Sequence, residues 1–238
     1  MKKCNLVVVA HPDDETLFFG GLIMANRRSN WRVVCATDGN ADGLGRTRHD
    51  QFARACRALG VRKFEFLDLP DRYESRLSQR ELQSRLAELY ERIRREHVTL
   101  QEVYTHGPLG EYGHPHHQDV SLAVHETFSR VNRSAQKSIK IWGVAYNCAP
   151  DRIFKLPTAQ FKKKCHILAK IYLGETSRFI QYLPVTSVET FARFNLAEVR
   201  VLHEFFAGSM KSVDARGKYS WFQPYLNTFR KAVIRRPF

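Results

Sequence analysis

With 238 residues, 43% hydrophobic and 26% charged, the chain has the composition of a globular protein with a substantial core, which excludes a disordered segment, a collagen or a pure coiled coil. A mean hydropathy of −0.41, with no run near the ~18 apolar residues of a membrane span, speaks against an integral membrane protein. The formal charge of +14 is uneven, residues 151–238 holding 16 basic and 6 acidic side chains, and such a field attracts a phosphorylated small molecule, an acidic membrane surface or nucleic acid.

Leu6-Val7-Val8-Val9-Ala10 is a short unbroken apolar run, the pattern of a strand buried on both faces. It meets His11-Pro12-Asp13-Asp14-Glu15 at once, too short and too soon charged for a signal peptide. Residues 16–28 predict a helix with Leu17, Phe18, Gly21, Leu22 and Ala25 along one side. Residues 32–37 read as a second buried strand, ending in the loop 38–45. A helix over 47–59 follows, with Phe52, Cys56 and Leu59 at helical spacing and Gly60 as its stop, then a third strand at 63–67. Leu82, Leu86, Leu89 and Ile93 mark the clearest amphipathic helix, which begins at Ser78. A fourth strand, 103–105, leads through the Gly/Pro-rich loop 106–113 into a helix opening near Pro115. A strand at 139–144 and a basic helix at 159–172 come next, while 185–195 and 199–206 are ambiguous.

Alternating strands and helices are the signature of parallel βαβ units with helices on both faces. Ligands of such sheets bind beyond the carboxyl ends of the strands. Those ends are Ala10/His11, Thr37/Asp38, Leu67/Asp68 and Thr105/His106, and polar residues crowd at each.

Two clusters there carry chemistry. In the first, Pro12 suits the first position of a helix, where its missing N–H is no loss, and the turn projects His11, Asp13 and Asp14 above the sheet. An imidazole and a carboxylate three residues apart can converge on one cation and leave the neighbouring carboxylate as a base. In Gly113-His114-Pro115-His116-His117-Gln118-Asp119, Pro115 likewise opens a helix and holds imidazoles near a strand end. Two histidines and one carboxylate, with one position left for water, compose a catalytic zinc site rather than a structural one. Metal-assisted hydrolysis is the reaction implied. Plainer readings exist: acidic residues suit a helix N-terminus, and close histidines can line a solvated loop. The placement of both clusters at strand ends weighs for the metal.

The string Ala10-His11-Pro12-Asp13-Asp14-Glu15, with His114-x-x-His117 later, resembles the PIG-L/LmbE-type zinc-dependent N-deacetylases. The likeness extends to Thr37-Asp38-Gly39 and to Arg48, Gln51, Ala55, Leu59 and Gly60, covering roughly residues 4–125. The resemblance implies a Rossmann-like α/β fold and removal of the acetyl group from an N-acetyl amino sugar, usually an N-acetylglucosamine unit, by a zinc-activated water. It makes His11, Asp14 and His117 the metal ligands, with zinc expected and another divalent metal as the alternative. Asp13 matches the general base, and His114 the imidazole that polarises the amide carbonyl and meets the oxyanion. Arg48 matches a position that contacts sugar or supports the site, against a plain reading as an exposed helix arginine. Asp38 is placed at sugar hydroxyls or as a cap of the turn at Gly39. The chain departs from the family in three places. His116 stands where an acid between the two histidines would hold His114 protonated. Gln51 replaces a usual glutamate. The C-terminal signature survives only as the degraded Tyr172-Leu173-Gly174-Glu175.

The expected organisation is one α/β domain over 1–238, a metal-site core in 1–145 and a basic, substrate-side elaboration in 146–238. The expected substrate is an amino sugar conjugate, small or linked to a lipid or nucleotide, whose anionic aglycone answers the basic C-terminal portion. An anionic membrane surface is a further expected partner, nucleic acid is not, and the oligomeric state is left open. Five scattered cysteines without a Cys-x-x-Cys pair suit the cytoplasm, at most peripheral to a membrane. Lys162-Lys163-Lys164 reads as a solvated helix face, and His49, His97, His106, His125, His166 and His203 lack ligand-like spacing. Aromatics and cations interleave from Lys218 to Tyr225, followed by Arg230, Lys231, Arg235 and Arg236. That stretch reads as a membrane-surface element, a sugar-stacking lid, a nucleic-acid patch or a basic edge of the core. The rival functions are an amidase acting on a larger acyl amide, and a non-catalytic basic protein that binds nucleic acid or membrane.

Overall fold

The computed structural model describes residues 2–27, 29–72, 75–135, 138–146, 148–179 and 185–208. Its centre is β1 (Lys2–Val9), which pairs in parallel with β2 (Asn30–Thr37) on one side and β4 (Val98–Thr105) on the other. With both edges paired and both faces covered, β1 has no need of polar alternation. Leu6, Val8 and Ala10 pack under α3 (Gln79–Arg95) and α4 (Pro115–Ala135), whereas Val7 and Val9 pack under α1 (Asp14–Ala25) and α2 (Gly45–Leu59). With β3 (Lys63–Leu69), β5 (Lys140–Val144), β6 (Arg152–Lys155) and β7 (Val188–Ala192), the sheet has the order β3-β2-β1-β4-β5-β7-β6. The first five strands are parallel, and β7 runs antiparallel to both β5 and β6. The fold is therefore the expected α/β architecture with a mostly parallel sheet. Strand order reverses about β1, so the crevice beyond the carboxyl ends of β1 and β4 is the switch point where open α/β sheets bind ligands.

Local signals account for the best-read helices. The apolar stripe of α3, Leu82, Leu86, Leu89 and Ile93, is buried without exposure, and Ser78 caps the helix by accepting the Glu81 N–H at 3.3 Å. Gly60 ends α2 with φ 94°, where a side chain would be strained. One helix differs from expectation: α1 is not one-sided but buried from Asp14 to Met24. Its outer face is covered by α2, by α5 (Thr158–Lys170) and by β7. Gly21 lies where a Cβ would sit 2.5 Å from the Leu156 side chain, so a larger residue would have to push that side chain aside.

The ambiguous segments resolve as β7 and as α7 (Leu196–Phe206), the latter opened by a capping box between Asn195 and Glu198. Two elements had no sequence expectation, β6 and α6 (Leu173–Phe179). The basic helix is α5, but its lysine run is not a solvated face throughout. Lys164 is fully buried, with Nζ donating at 2.7 Å to Glu189 Oε1. The Glu189 carboxylate also accepts the N–H groups of Gly21 and Leu22, each at 2.8 Å, and so ties α5, β7 and α1 together. The aromatic and basic stretch after Lys218 lies outside the described residues. None of the described helices is long and apolar enough to cross a membrane.

Substituting Glu189→Gln leaves a buried ammonium without its counter-charge, which should cost about 3–5 kcal/mol. The urea midpoint should fall with the m-value unchanged. Lys164→Met leaves Glu189 its two backbone donors and should cost less.

Candidate active site

The turn after β1 is held by its own carboxylates. Asp14 Oδ2 accepts the N–H of His11 at 2.8 Å, and Glu15 Oε2 accepts that of Asp13 at 2.9 Å. Between these caps Asp13 has φ 111°, a conformation that costs a non-glycine residue about 1–3 kcal/mol and marks functional turns. Arg48 steadies it, donating from Nη2 to Pro12 O at 2.5 Å and lying 3.4 Å from Asp13 Oδ2. The other guanidinium nitrogen, Nη1, meets Glu175 Oε2 at 2.9 Å. Arg48 is thus no exposed helix arginine; it joins α2 to the turn and to α6.

One carboxylate oxygen organises the expected ligands. Asp14 Oδ2 lies 3.4 Å from His11 Nδ1 and 3.4 Å from His117 Nε2. An ion with Zn–N bonds of about 2.0–2.1 Å in a tetrahedral shell spaces its ligands by roughly 3.3–3.4 Å. His117 Nε2 is buried and makes no hydrogen bond among the described residues, and a cation between it and Asp14 would satisfy it. Its other nitrogen, Nδ1, sits 2.6 Å from Glu111 Oε2, which orients Nε2 towards Asp14.

His106 also places Nε2 3.4 Å from Asp14 Oδ2, but that nitrogen already accepts the Ala10 N–H at 2.9 Å. Its Nδ1 therefore carries the proton and donates to Glu111 Oε2 at 3.1 Å. His106 straps the ends of β1 and β4 together and is not a ligand. Among the described residues, three groups bring potential ligand atoms within 4.8 Å of one another: His11/His114/His117, His11/Asp71/His116 and Asp14/His106/His117; the expected set His11/Asp14/His117 is not one of them, although Asp14 Oδ2 lies 3.4 Å from a nitrogen of each imidazole.

The two adjacent carboxylates are driven apart. Burial opposes ionisation of Asp14, but the charge of the His117 imidazole above all outweighs it and holds that carboxyl well below the ordinary range. Burial raises Asp13 well above the range, and Arg48 offsets this only in part. One carboxylate thus stays charged while its neighbour gains affinity for a proton. Burial also opposes charge on His117, yet Asp14 and Glu111 prevail and raise it to about 10. His114 goes the other way: burial and the rings of His11, His117 and His116 hold it well below its usual value. Its Nδ1 accepts the His116 N–H at 3.2 Å, leaving the proton on Nε2, so His114 is a neutral donor.

The His116 side chain does not take up the missing acid's part beside His114. Its Nε2 donates to Ser75 O at 2.8 Å, and its Nδ1 faces His11 Nε2 at 3.0 Å. Asp119 is occupied elsewhere, with Arg76 at 3.0 Å, the Leu77 N–H at 2.9 Å and His203 at 2.7 Å. Asp38 serves the loops, its Oδ1 accepting from Asn40 N at 2.9 Å and Asp71 N at 3.0 Å. The degraded signature does reach the turn, through Glu175 on Arg48 and Tyr172 Oη donating to Glu15 Oε1 at 3.0 Å. Glu111 and Asp71 escaped the sequence reading because a lone acid in a loop has no period or spacing to mark it.

Replacing Glu111 by Gln should weaken divalent-metal affinity about 10–100-fold with the far-ultraviolet circular dichroism unchanged. Competition with a chromogenic chelator measures this.

A family model described as PIG-L: GlcNAc-PI de-N-acetylase matches residues 6–128. The chain is 28% identical over 138 residues to uncharacterized protein L374 of Acanthamoeba polyphaga mimivirus, covering 52% of this chain and 58% of that one. It is 30% identical over 120 residues to the probable N-acetylglucosaminyl-phosphatidylinositol de-N-acetylase of Schizosaccharomyces pombe, covering 47% of this chain and 46% of that one. The chain spans about half the length of these curated relatives. Among solved structures, N,N'-diacetylchitobiose deacetylase from Pyrococcus horikoshii shares the fold, with a TM-score of 0.57, 22% identity and coverage of 82% of this chain and 85% of that one. The family match takes in just over half of the chain and both histidine clusters, and the chain belongs to the PIG-L (GlcNAc-PI de-N-acetylase) family.

Proposed function

We propose that this chain is a metal-dependent N-deacetylase that releases acetate from an N-acetylglucosamine unit joined to an anionic aglycone. The observation that carries the reading is the Asp14 oxygen 3.4 Å from both His11 and His117, with a second carboxylate, Asp13, beside it in a strained turn. A divalent ion, zinc best matching two imidazoles and a carboxylate, would be held by His11, Asp14 and His117 and would supply Lewis acidity to the amide carbonyl and to water.

The chain's own groups do the rest. Asp13, the carboxylate with raised proton affinity, takes a proton from the attacking water and returns it to the departing amine. His114, neutral and protonated on Nε2, donates a hydrogen bond to the oxygen on which negative charge develops. Arg48 keeps the Asp13 turn in place. The products are acetate and a free amino sugar. The family description and the name of the Schizosaccharomyces pombe relative, which specify a phosphatidylinositol-linked sugar, and the 16 basic against 6 acidic residues in 151–238 support an anionic, lipid-like aglycone. The contacts of Tyr172 and Glu175 support a substrate-side role for the C-terminal portion.

His11→Ala and His117→Ala should lose the ion held with Asp14 and, with it, acetate release. Asp13→Asn should keep its metal while turnover falls about 10²–10⁴-fold; full activity in that variant overturns the assigned base. Release of a longer acid instead of acetate would favour the amidase reading. For the aglycone, a phosphoinositide-linked N-acetylglucosamine should be turned over faster than a neutral acetamido sugar at low ionic strength, and the advantage should shrink as salt screens it. Equal rates at all salt concentrations would remove the anionic requirement.

A further inference from the structure

We propose a second cation site, formed by His11 Nε2, His116 Nδ1 and Asp71 Oδ1, which adjoins the first and shares the His11 ring with it. The three atoms are separated by 3.0 Å (His11 to His116), 3.7 Å (His11 to Asp71) and 3.5 Å (His116 to Asp71). These spacings bracket the roughly 3.3–3.4 Å edge of a tetrahedral zinc shell. His11 presents its two nitrogens to two different carboxylates, Nδ1 to Asp14 and Nε2 to Asp71. A single ring therefore links two candidate ion positions.

The other two donors are held in advance. His116 donates from Nε2 to Ser75 O at 2.8 Å, which fixes the ring and leaves Nδ1 as the nitrogen with the lone pair. The Asp71 backbone is pinned through its N–H to Asp38 Oδ1 at 3.0 Å. The His116 side chain is 2% exposed, whereas those of Asp71 and His11 are 10% and 12% exposed, so the site is nearly closed yet open on one side. With no ion there, the His11 Nε2–H bonds to His116 Nδ1. A cation entering the site takes the place of that proton, which leaves to solvent. Two imidazoles and one carboxylate select zinc, cobalt, nickel or copper over magnesium and calcium. The site depends on His116, which stands where the resemblance leads one to expect an acid.

The test counts metal and does not depend on turnover, so its outcome is separable from that of the deacetylase reading. Metal-free protein is titrated with Zn²⁺ and bound zinc is measured after removal of free ion. The unaltered chain should bind two equivalents, the second more weakly. Asp71→Asn and His116→Gln should each bind one, His117→Ala should bind one, and His117→Ala combined with Asp71→Asn should bind none. One equivalent in the unaltered chain at saturating zinc, or two in Asp71→Asn, overturns the proposal. A second measurement needs no substitution. In protein loaded with two Cu²⁺, exchange coupling through the shared ring should diminish the electron paramagnetic resonance signal below that of two isolated ions. The full signal of two independent ions overturns the shared ring.

Discussion

Val8 stands beside Thr105 in the parallel ladder between β1 and β4, and because the two strands run the same way, their carboxyl ends deliver His11 and His106 to one place. The whole candidate site hangs on this pairing. Bringing together segments so distant in sequence carries a loop-closure cost; burial of the apolar β1 between two helical layers offsets it. The ladder is continued by side chains where the backbone pairing stops: Ala10 N–H to His106 Nε2, His106 Nδ1 to Glu111, and Glu111 to His117. A histidine with no chemical task thereby sets the orientation of one placed to bind metal.

Around that frame, the site separates the behaviour of groups that are chemically alike. Asp13 and Asp14 are adjacent, yet one looks onto imidazoles and is held ionised, while the other is buried and also crowded by Asp14, Glu15 and Glu175 with only Arg48 in compensation. His114 and His117 are a helical turn apart with ring centroids 4.7 Å from each other. Two carboxylates serve His117, whereas burial and neighbouring rings dominate His114. Opposite shifts in like groups are the usual mark of divided acid and base duties. Parallel α/β sheets host many reactions, so these side chains, and not the architecture, set the reaction.

The chain's departure from the family at His116 changes the connections of the site more than its shape. An acid at that position would address His114; the imidazole turns instead to His11 and Ser75, and His114 is left with a backbone N–H on Nδ1. The segment from Tyr172 to Glu175, poor as a motif, keeps the two contacts that brace the Asp13 turn, on Glu15 and on Arg48. Motif likeness and structural role thus part company in both directions.

The sequence by itself determined the alternation of strands and helices through α4, the amphipathic face of α3 and the two histidine- and carboxylate-rich clusters at strand ends. Each is written in neighbouring residues, as an apolar run, a heptad-like spacing or a proline opening a helix. Only the tertiary structure decided that α1 is buried on all sides, that Lys164 leaves the solvated face for Glu189, that Glu111 stands under His117, and that Asp71 faces His116. These outcomes turn on contacts between residues remote in the chain, and single buried acids or lysines carry no periodicity from which their partners could be read. The same holds for which nitrogen each histidine offers, since that is set by the hydrogen bond its other nitrogen makes after the chain has folded.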